Sequence, residues 1–222
     1  MKIIQIAPAF LQEDTNFLLL GLADQRRIHI ASAYIGKTTN VTDYSTKEIR
    51  PMPGRGEGRD AARAVAADQR RLPVTFSISG TCRESGMSGI AITTSSISVG
   101  SRCPWVRAGA GAVATQNITD PTIGCDVLDL MGAGHSASDA VSAAMSEREH
   151  AEYRQVAAVD LDGRTGHFSG SRTLGVHAVT EGDGCVAAGN LLSSTAVTVA
   201  MVEAFENSDG VHLAERLVFA LD

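Results

Sequence analysis

Apolar and polar positions along this chain fall into two regimes that meet near residue 74. From Val74 onward, short runs of β-branched and small apolar residues alternate with turn residues. Thr75–Gly80 and Gly89–Thr94 flank a turn containing Arg83, Glu84, Ser85 and Gly86, which predicts a first hairpin. Ser95–Ser98 continue its second strand as a polar, strand-compatible run ending at Gly100. Gly109–Gln116 predict a third strand, and the small residues Ala110, Gly111, Ala112 and Ala114 imply tight approach of a neighbour. Val156–Leu161 and Arg164–Phe168, joined by Asp162-Gly163, predict a second hairpin, because Asp-Gly suits the two-residue turns that match strand twist. Cys185–Gly189 reads as another strand. Helical patterns cover Asp126–Met131, Ser136–Met145, about Thr195–Phe205 and about Leu213–Leu221, with Ser136, Ser138 and Asp139 suiting the N-terminus of the second. Antiparallel hairpins with helices between them predict an α+β fold in which helices cover stacked sheets.

The first 73 residues read differently. Met1–Ala9 predict a short strand, Phe17–Ile35 form an apolar stretch of uncertain period, and Pro51–Gly58 form a loop by their Pro and Gly content. Asp60–Arg71 are helix-friendly without an apolar stripe, and Pro73 closes the segment. The expectation is a mobile or poorly packed leader. Charge divides at the same place. Residues 1–73 carry eleven basic and eight acidic residues, a net of +3, whereas residues 74–222 carry eight arginines, no lysine and seventeen acids, a net of −9. A lysine-free acidic body lacks the clustered basic footprint of a nucleic-acid binder, so a small-molecule substrate is expected instead. The apolar run Phe17–Ala23 falls far below the roughly 20 residues needed to span a bilayer, and it follows Glu13 and Asp14 where a signal peptide carries basic residues. The sequence therefore predicts no membrane partner. Cys82, Cys103, Cys125 and Cys185 show no C-x-x-C spacing and read as separate thiols in a reducing cytoplasm.

Candidate chemistry begins with Thr75. If it were the first residue of the mature chain, its hydroxyl and free α-amine would form a nucleophile and base pair in one residue. Thr93, Thr94, Ser95, Ser96 and Ser98 lie where the first hairpin brings them close to it, and alternation lets about half of them face one pocket. They read either as a solvated strand or as a group in which Ser96 or a neighbour orients the Thr75 amine. Trp105 stands between Arg102 and Arg107, either as core or as the apolar wall beside a guanidinium that holds a substrate carboxylate. Gln116 and Asn190 end small-residue strands and read as turn residues or as oxyanion donors. The six histidines show neither i, i+4 pairing nor metal-cluster spacing, so no metal is expected. Met131-Gly132-Ala133-Gly134 lack the phosphate-loop pattern, and no cofactor is expected. Asp162 is explained by its turn, and Asp160 and Asp183 remain conceivable acids or bases.

Several segments together carry a resemblance. Thr75-Phe76-Ser77-Ile78, Ser98-Val99-Gly100-Ser101, the block Pro104–Gln116, Tyr153-Arg154-Gln155-Val156, Phe168-Ser169-Gly170, Ala188–Leu192 and Ala214–Leu217 follow in order over residues 74–221. They resemble a bacterial domain-of-unknown-function family, number one thousand and twenty-eight, grouped with the N-terminal-nucleophile (Ntn) hydrolases. The resemblance implies an αββα sandwich in which an N-terminal Thr, Ser or Cys attacks an amide and its own amine shuttles the proton. It implies Thr75 as nucleophile and base, with Asn190 and Gln116 or nearby backbone N–H groups as oxyanion donors. Arg107 or Arg154 would hold anionic substrate groups. Similar family members begin Met-Thr-Phe-Ser-Ile, and Val74 stands in place of that Met. Either a GTG start makes residues 1–73 upstream sequence wrongly joined to the domain, or the chain is cut between Val74 and Thr75. Family members usually continue past the last helix, so the resemblance further implies a sandwich short of its last strands and a sheet edge open to homodimerisation. The expected activity is hydrolysis of a small amide, N-acyl or ureido substrate. The alternative is a non-catalytic metabolite-binding or assembly module of the same fold.

Overall fold

Side-chain alternation along Thr75–Cys82 sets the layering of the molecule. Ile78 points to one face of its strand and Ser77 and Ser79 to the other. The computed structural model describes residues 74–222 and, before them, only the backbone of β1 (Lys2–Ala7), β2 (Asn16–Asp24), β3 (Arg27–Ile35) and β4 (Thr46–Glu48). From residue 75 there follow β5 (Thr75–Cys82), β6 (Met87–Thr94), β7 (Pro104–Arg107) and β8 (Gly111–Asn117). Helices α1 (Thr122–Gly132) and α2 (Ala137–Met145) lead to β9 (Arg154–Asp160), β10 (Thr165–Ser169), β11 (Ala178–Gly182) and β12 (Cys185–Asn190). Helices α3 (Ala196–Glu206) and α4 (Leu213–Phe219) complete the order.

The strands form one sheet in the order β1-β6-β5-β12-β11, a second in the order β10-β9-β8-β7, and a third in the order β2-β3-β4. On the first sheet, Ile78, Ala91 and Ala187 pack against Met201 and Phe205 of α3 and Leu213 and Leu217 of α4. On the second, Val113, Val156 and Ala158 pack against Ile123 and Val127 of α1 and Val141 and Met145 of α2. The remaining faces meet each other. Ile90 and Ile92 lie against Ala112, Ala114 and Val159, and Val186 and Ala188 against Ala157. The alanines on these inner faces keep the two backbones close, the approach that the small-residue strand predicts.

Close packing recurs under the helices. A Cβ on Gly80 would stand 2.7 Å from the ring of Phe205, and one on Gly124 would stand 2.2 Å from the indole of Trp105. Glycine at 124 thus lets α1 lie directly on Trp105, whose Nε1 donates to the Arg102 carbonyl at 3.3 Å. Asp160 is buried and accepts from Ala137 N, Asp162 N, Arg164 N and Arg164 Nε, tying the β9–β10 turn to the start of α2. Asp183 pairs with Arg83. Both carboxylates, conceivable as acid or base from sequence, are structural anchors.

Several boundaries differ from the sequence reading. Ser95–Ser98 do not extend β6. Ser98 takes a left-handed φ of 56° and leads into a 3-10 turn at Val99–Ser101. The third strand starts at Gly111 and not at Gly109, because residues 108–110 form a turn with Gly109 at φ 77°. Three short strands, β4, β7 and β11, go beyond the elements that the sequence predicts. The apolar stretch Phe17–Ile35 contributes the antiparallel strands β2 and β3, paired from Asn16 opposite Ile35 to Asp24 opposite Arg27. Met1–Ala9 hold β1 at Lys2–Ala7, which pairs antiparallel with β6 from Lys2 opposite Thr93 to Ala7 opposite Ser88. The loop expected at Pro51–Gly58 and the helix-friendly segment Asp60–Arg71 lie outside the described residues. Among the described residues, no helix is long and apolar enough to cross a membrane.

Two outcomes follow. Gly124→Ala drives a methyl group into the Trp105 ring, and urea denaturation should show a loss of about 1–3 kcal/mol; unchanged stability would contradict the packing. All four cysteines are free. Burial pushes the Cys103 thiol up to about 11 and the Cys185 thiol up to about 12, from an ordinary 9.0. At Cys82 burial also raises the value, but hydrogen bonds with Ser85 and Glu84 and the charge of Arg216 outweigh it and leave the thiol lowered. Because the thiolate is the reactive form, a disulfide reagent near pH 8 should label native Cys82 well ahead of Cys103 and Cys185, as peptide mass mapping would show.

Candidate functional site

β5 and β9 start, and β6, β8, β10 and β12 finish, at one end of the two facing sheets. Thr75 stands directly opposite Thr94 on one neighbouring strand and Asn190 on the other. Register partners share a face, so all three side chains belong to the inner face that carries Ser77. Thr75 Oγ1 lies 2.8 Å from Thr94 Oγ1, which also accepts the Ser96 N–H at 3.1 Å. The ladder runs one residue past Thr75. Ser95 N donates to the Val74 carbonyl at 3.1 Å, and Val74 N donates to Ser95 Oγ at 3.2 Å.

Behind these hydroxyls lies a buried amide cluster. Ser77 Oγ donates to Gln116 Oε1 at 2.9 Å, joining the two sheets. Gln116 Nε2 donates to Gln155 Oε1 at 2.9 Å, and Asn190 Nδ2 donates to the same oxygen at 3.1 Å. Gln155 Nε2 in turn donates to Ser169 Oγ and to the Gly189 carbonyl. Gln116, Gln155 and Asn190 are all buried. A carboxamide has two N–H donors, so Asn190 and Gln116 each keep one that the bond to Gln155 does not use. Thr75, Asn190 and Gln116 are thus brought to one end and, through Gln155, into one network.

The other expected residues are distributed differently. Ser96 is exposed, and its Oγ accepts from Arg102 Nη2 at 2.6 Å; its backbone, not its side chain, reaches the Thr75–Thr94 pair. Arg107 pairs with Gly111 at the start of β8, five residues from Gln116 and hence roughly 17 Å along the strand. There it forms an ion pair with Asp129 of α1. Trp105 packs under Gly124, so the structure places it in the core layer beneath α1. Arg154 opens β9 beside Gln155, with Nη1 donating to the Ile118 carbonyl. Gln155, at the centre of this network, has no role assigned by the sequence reading. A glutamine alternating with Ala157 and Val159 on a strand's inward face was the available signal. Among the described residues, no three His, Cys, Asp or Glu side chains gather where a metal ion would be held.

Residues 75–222 match the family of unknown function DUF1028. The chain belongs to that family. A crystal structure of a DUF1028 protein from Silicibacter pomeroyi is similar, with 34% sequence identity and a TM-score of 0.64 over 67% of this chain and 66% of that one. The chain therefore spans about two thirds of that protein's length. Among curated proteins, none matches. The DUF1028 match starts at Thr75, the residue at the tip of β5.

Gln155→Leu should lower stability, because it strands the amide donors of Gln116 and Asn190 inside the inter-sheet layer, at about 1–3 kcal/mol for each donor left unpaired. Gln155→Glu keeps the acceptor but buries an unpaired carboxylate and sets an oxygen against the Gly189 carbonyl, so it should lose stability as well. Equal urea midpoints for Gln155→Leu and wild type would show that the amides find other partners.

Proposed function

We propose that this chain is an amide-bond hydrolase of the Ntn type, with the layered arrangement of helix, sheet, sheet and helix as its αββα sandwich. The observation that carries the reading is the position of Thr75. Its hydroxyl sits at one end of the inter-sheet layer, half-buried between Thr94 and Asn190 and in front of the buried amides. That the family match begins at this residue supports the same assignment.

In this mechanism Thr75 Oγ1 attacks the carbonyl carbon of the substrate amide and gives its proton to its own α-amine. The oxyanion that forms is met by the spare N–H of Asn190, with Gln116 behind it. Collapse breaks the C–N bond as the α-ammonium protonates the departing amine. Water, deprotonated by the same amine, then cleaves the acyl ester on Thr75. The amine must be free, because an acylated nitrogen has no basic lone pair. The active species therefore lacks the Val74–Thr75 bond, through an internal start or a cut at that bond. The substrate is a small amide, N-acyl or ureido compound. Unpaired thiols at all four cysteines fit the reducing cytoplasm as its location. Homodimerisation remains part of this reading through the outer strands β7, β10 and β11.

A second reading has its own support. Val74 continues the β5–β6 ladder past Thr75, which favours an intact linkage and hence a module that binds a small metabolite without turning it over.

Mass spectrometry of the N-terminus of protein made from the native gene separates the two. The hydrolase reading expects a chain beginning at Thr75 that turns over N-acyl amino acids, with activity abolished in Thr75→Ala and lowered ~10²–10³-fold in Asn190→Ala. Turnover equal to wild type in Thr75→Ala would remove Thr75 from the chemistry.

A further inference from the structure

An arginine in an acidic body ordinarily finds a carboxylate. Residues 74–222 hold seventeen acids and eight arginines, and five of the eight do form ion pairs with aspartates. Among the described residues, Arg102, Arg154 and Arg172 meet no carboxylate. Arg102 donates to Ser96 Oγ at 2.6 Å and to the Ile97 carbonyl at 3.1 Å. Arg154 donates to the Ile118 carbonyl, and its Nε is buried without a partner. Arg172 donates to Tyr153 Oη and lies 5.2 Å over that ring. Glu152 and Asp120 act on Arg172 and Arg154 only through space.

All three arginines surround the Thr75 end. Arg102 leads into β7 and Arg154 opens β9, on either side of the end of β8, and Arg172 follows β10. Arg102 is tied to the candidate nucleophile, since Ser96, which accepts from it, donates its N–H to Thr94 Oγ1 and Thr94 meets Thr75. A guanidinium has five N–H groups, and Arg102 uses two of them, so three remain for an anion. The same end is also where apolar side chains meet water. Of the six exposed large hydrophobics among the described residues, Ile97, Ile118, Leu174 and Val176 lie on its loops, and Ile97 is 85% exposed.

We propose that this end recognises an amide carrying a carboxylate on one side of the scissile bond and an apolar acyl group on the other, with Arg102 pairing the carboxylate. The proposal rests on the reading of the Thr75 end as the site, but it concerns binding and not turnover. Five cations are neutralised where they only hold the fold together, and the three without a carboxylate partner stand where a ligand enters. The acyl chain then covers the exposed aliphatic residues beside them, a gain proportional to the area removed from water.

Isothermal titration of the full chain with N-octanoylglycine, its neutral counterpart N-octanoylglycinamide, and N-acetylglycine tests this. The expected result is at least about tenfold tighter binding of N-octanoylglycine than of either other probe, with a preference over the neutral amide that weakens as salt rises. Arg102→Gln should erase the carboxylate preference, Arg102→Lys should retain part of it, and Arg83→Gln, whose arginine is paired with Asp183, should leave it intact. Equal binding of acid and neutral amide, wild-type preference in Arg102→Gln, or no binding of any probe at millimolar concentration would overturn the proposal. Carboxylate-selective binding without turnover would leave it standing and remove the hydrolase reading. Turnover without carboxylate preference would do the reverse.

Discussion

Two sheets held face to face by small apolar residues leave little room for polar groups that lack partners, and this architecture depends on how one oxygen meets that constraint. Gln155 Oε1 takes a hydrogen bond from Gln116 on the neighbouring strand and another from Asn190 on the opposite sheet. In a layer closed to water each such donor must be satisfied or the fold bears its full desolvation penalty. The cluster therefore fixes the separation and relative register of the sheets at the end where Thr75, Thr94 and Asn190 lie side by side. At mid-strand the centre of the same layer is apolar apart from Ser79, whose buried hydroxyl has no hydrogen-bond partner among the described residues, and at its edge Thr165 and His167 of β10 meet Glu181 of β11.

Much of the framework was legible because it is written in local signals. The turn at Asp162-Gly163, the Ser136 cap, whose Oγ accepts from Asp139 N, and the hairpin around Arg83–Gly86 all appear where their residues predict them, although the first turn takes three residues, 161–163, and not two. What escaped was non-local. β7 opens with a proline and holds the lone tryptophan, so it reads as an anchor segment and becomes a strand only because Thr115 N and Ala114 lie beside it. β11 is half-exposed and lacks an apolar run; its pairing with β12 makes it a strand. Ser95–Ser98 have strand-compatible composition, yet the chain must leave the sheet there to cross to β7 in the other one.

The site was legible in part, for the same reason. Thr75 and Asn190 were visible as strand-end residues, and antiparallel registry brings them together. Arg107 and Trp105 sit only two positions apart in sequence from each other, close to plausible site residues by number, but the strand carries Arg107 toward the far end and the helix above claims Trp105 for packing. Arg102 differs from Arg107 in nothing that composition shows. Only the count of which arginines have met an aspartate sets it apart, and that count requires the folded chain.

Lys2–Ala7 occupies the flank of the sheet that holds Thr75, hydrogen-bonded along β6, which in turn pairs with the strand that Thr75 opens. A strand kept in place by its backbone ladder does not depend on covalent continuity. Were the peptide opened before Thr75, the two pieces would still travel together under native conditions, and the break would show only when the sheet itself is dissolved.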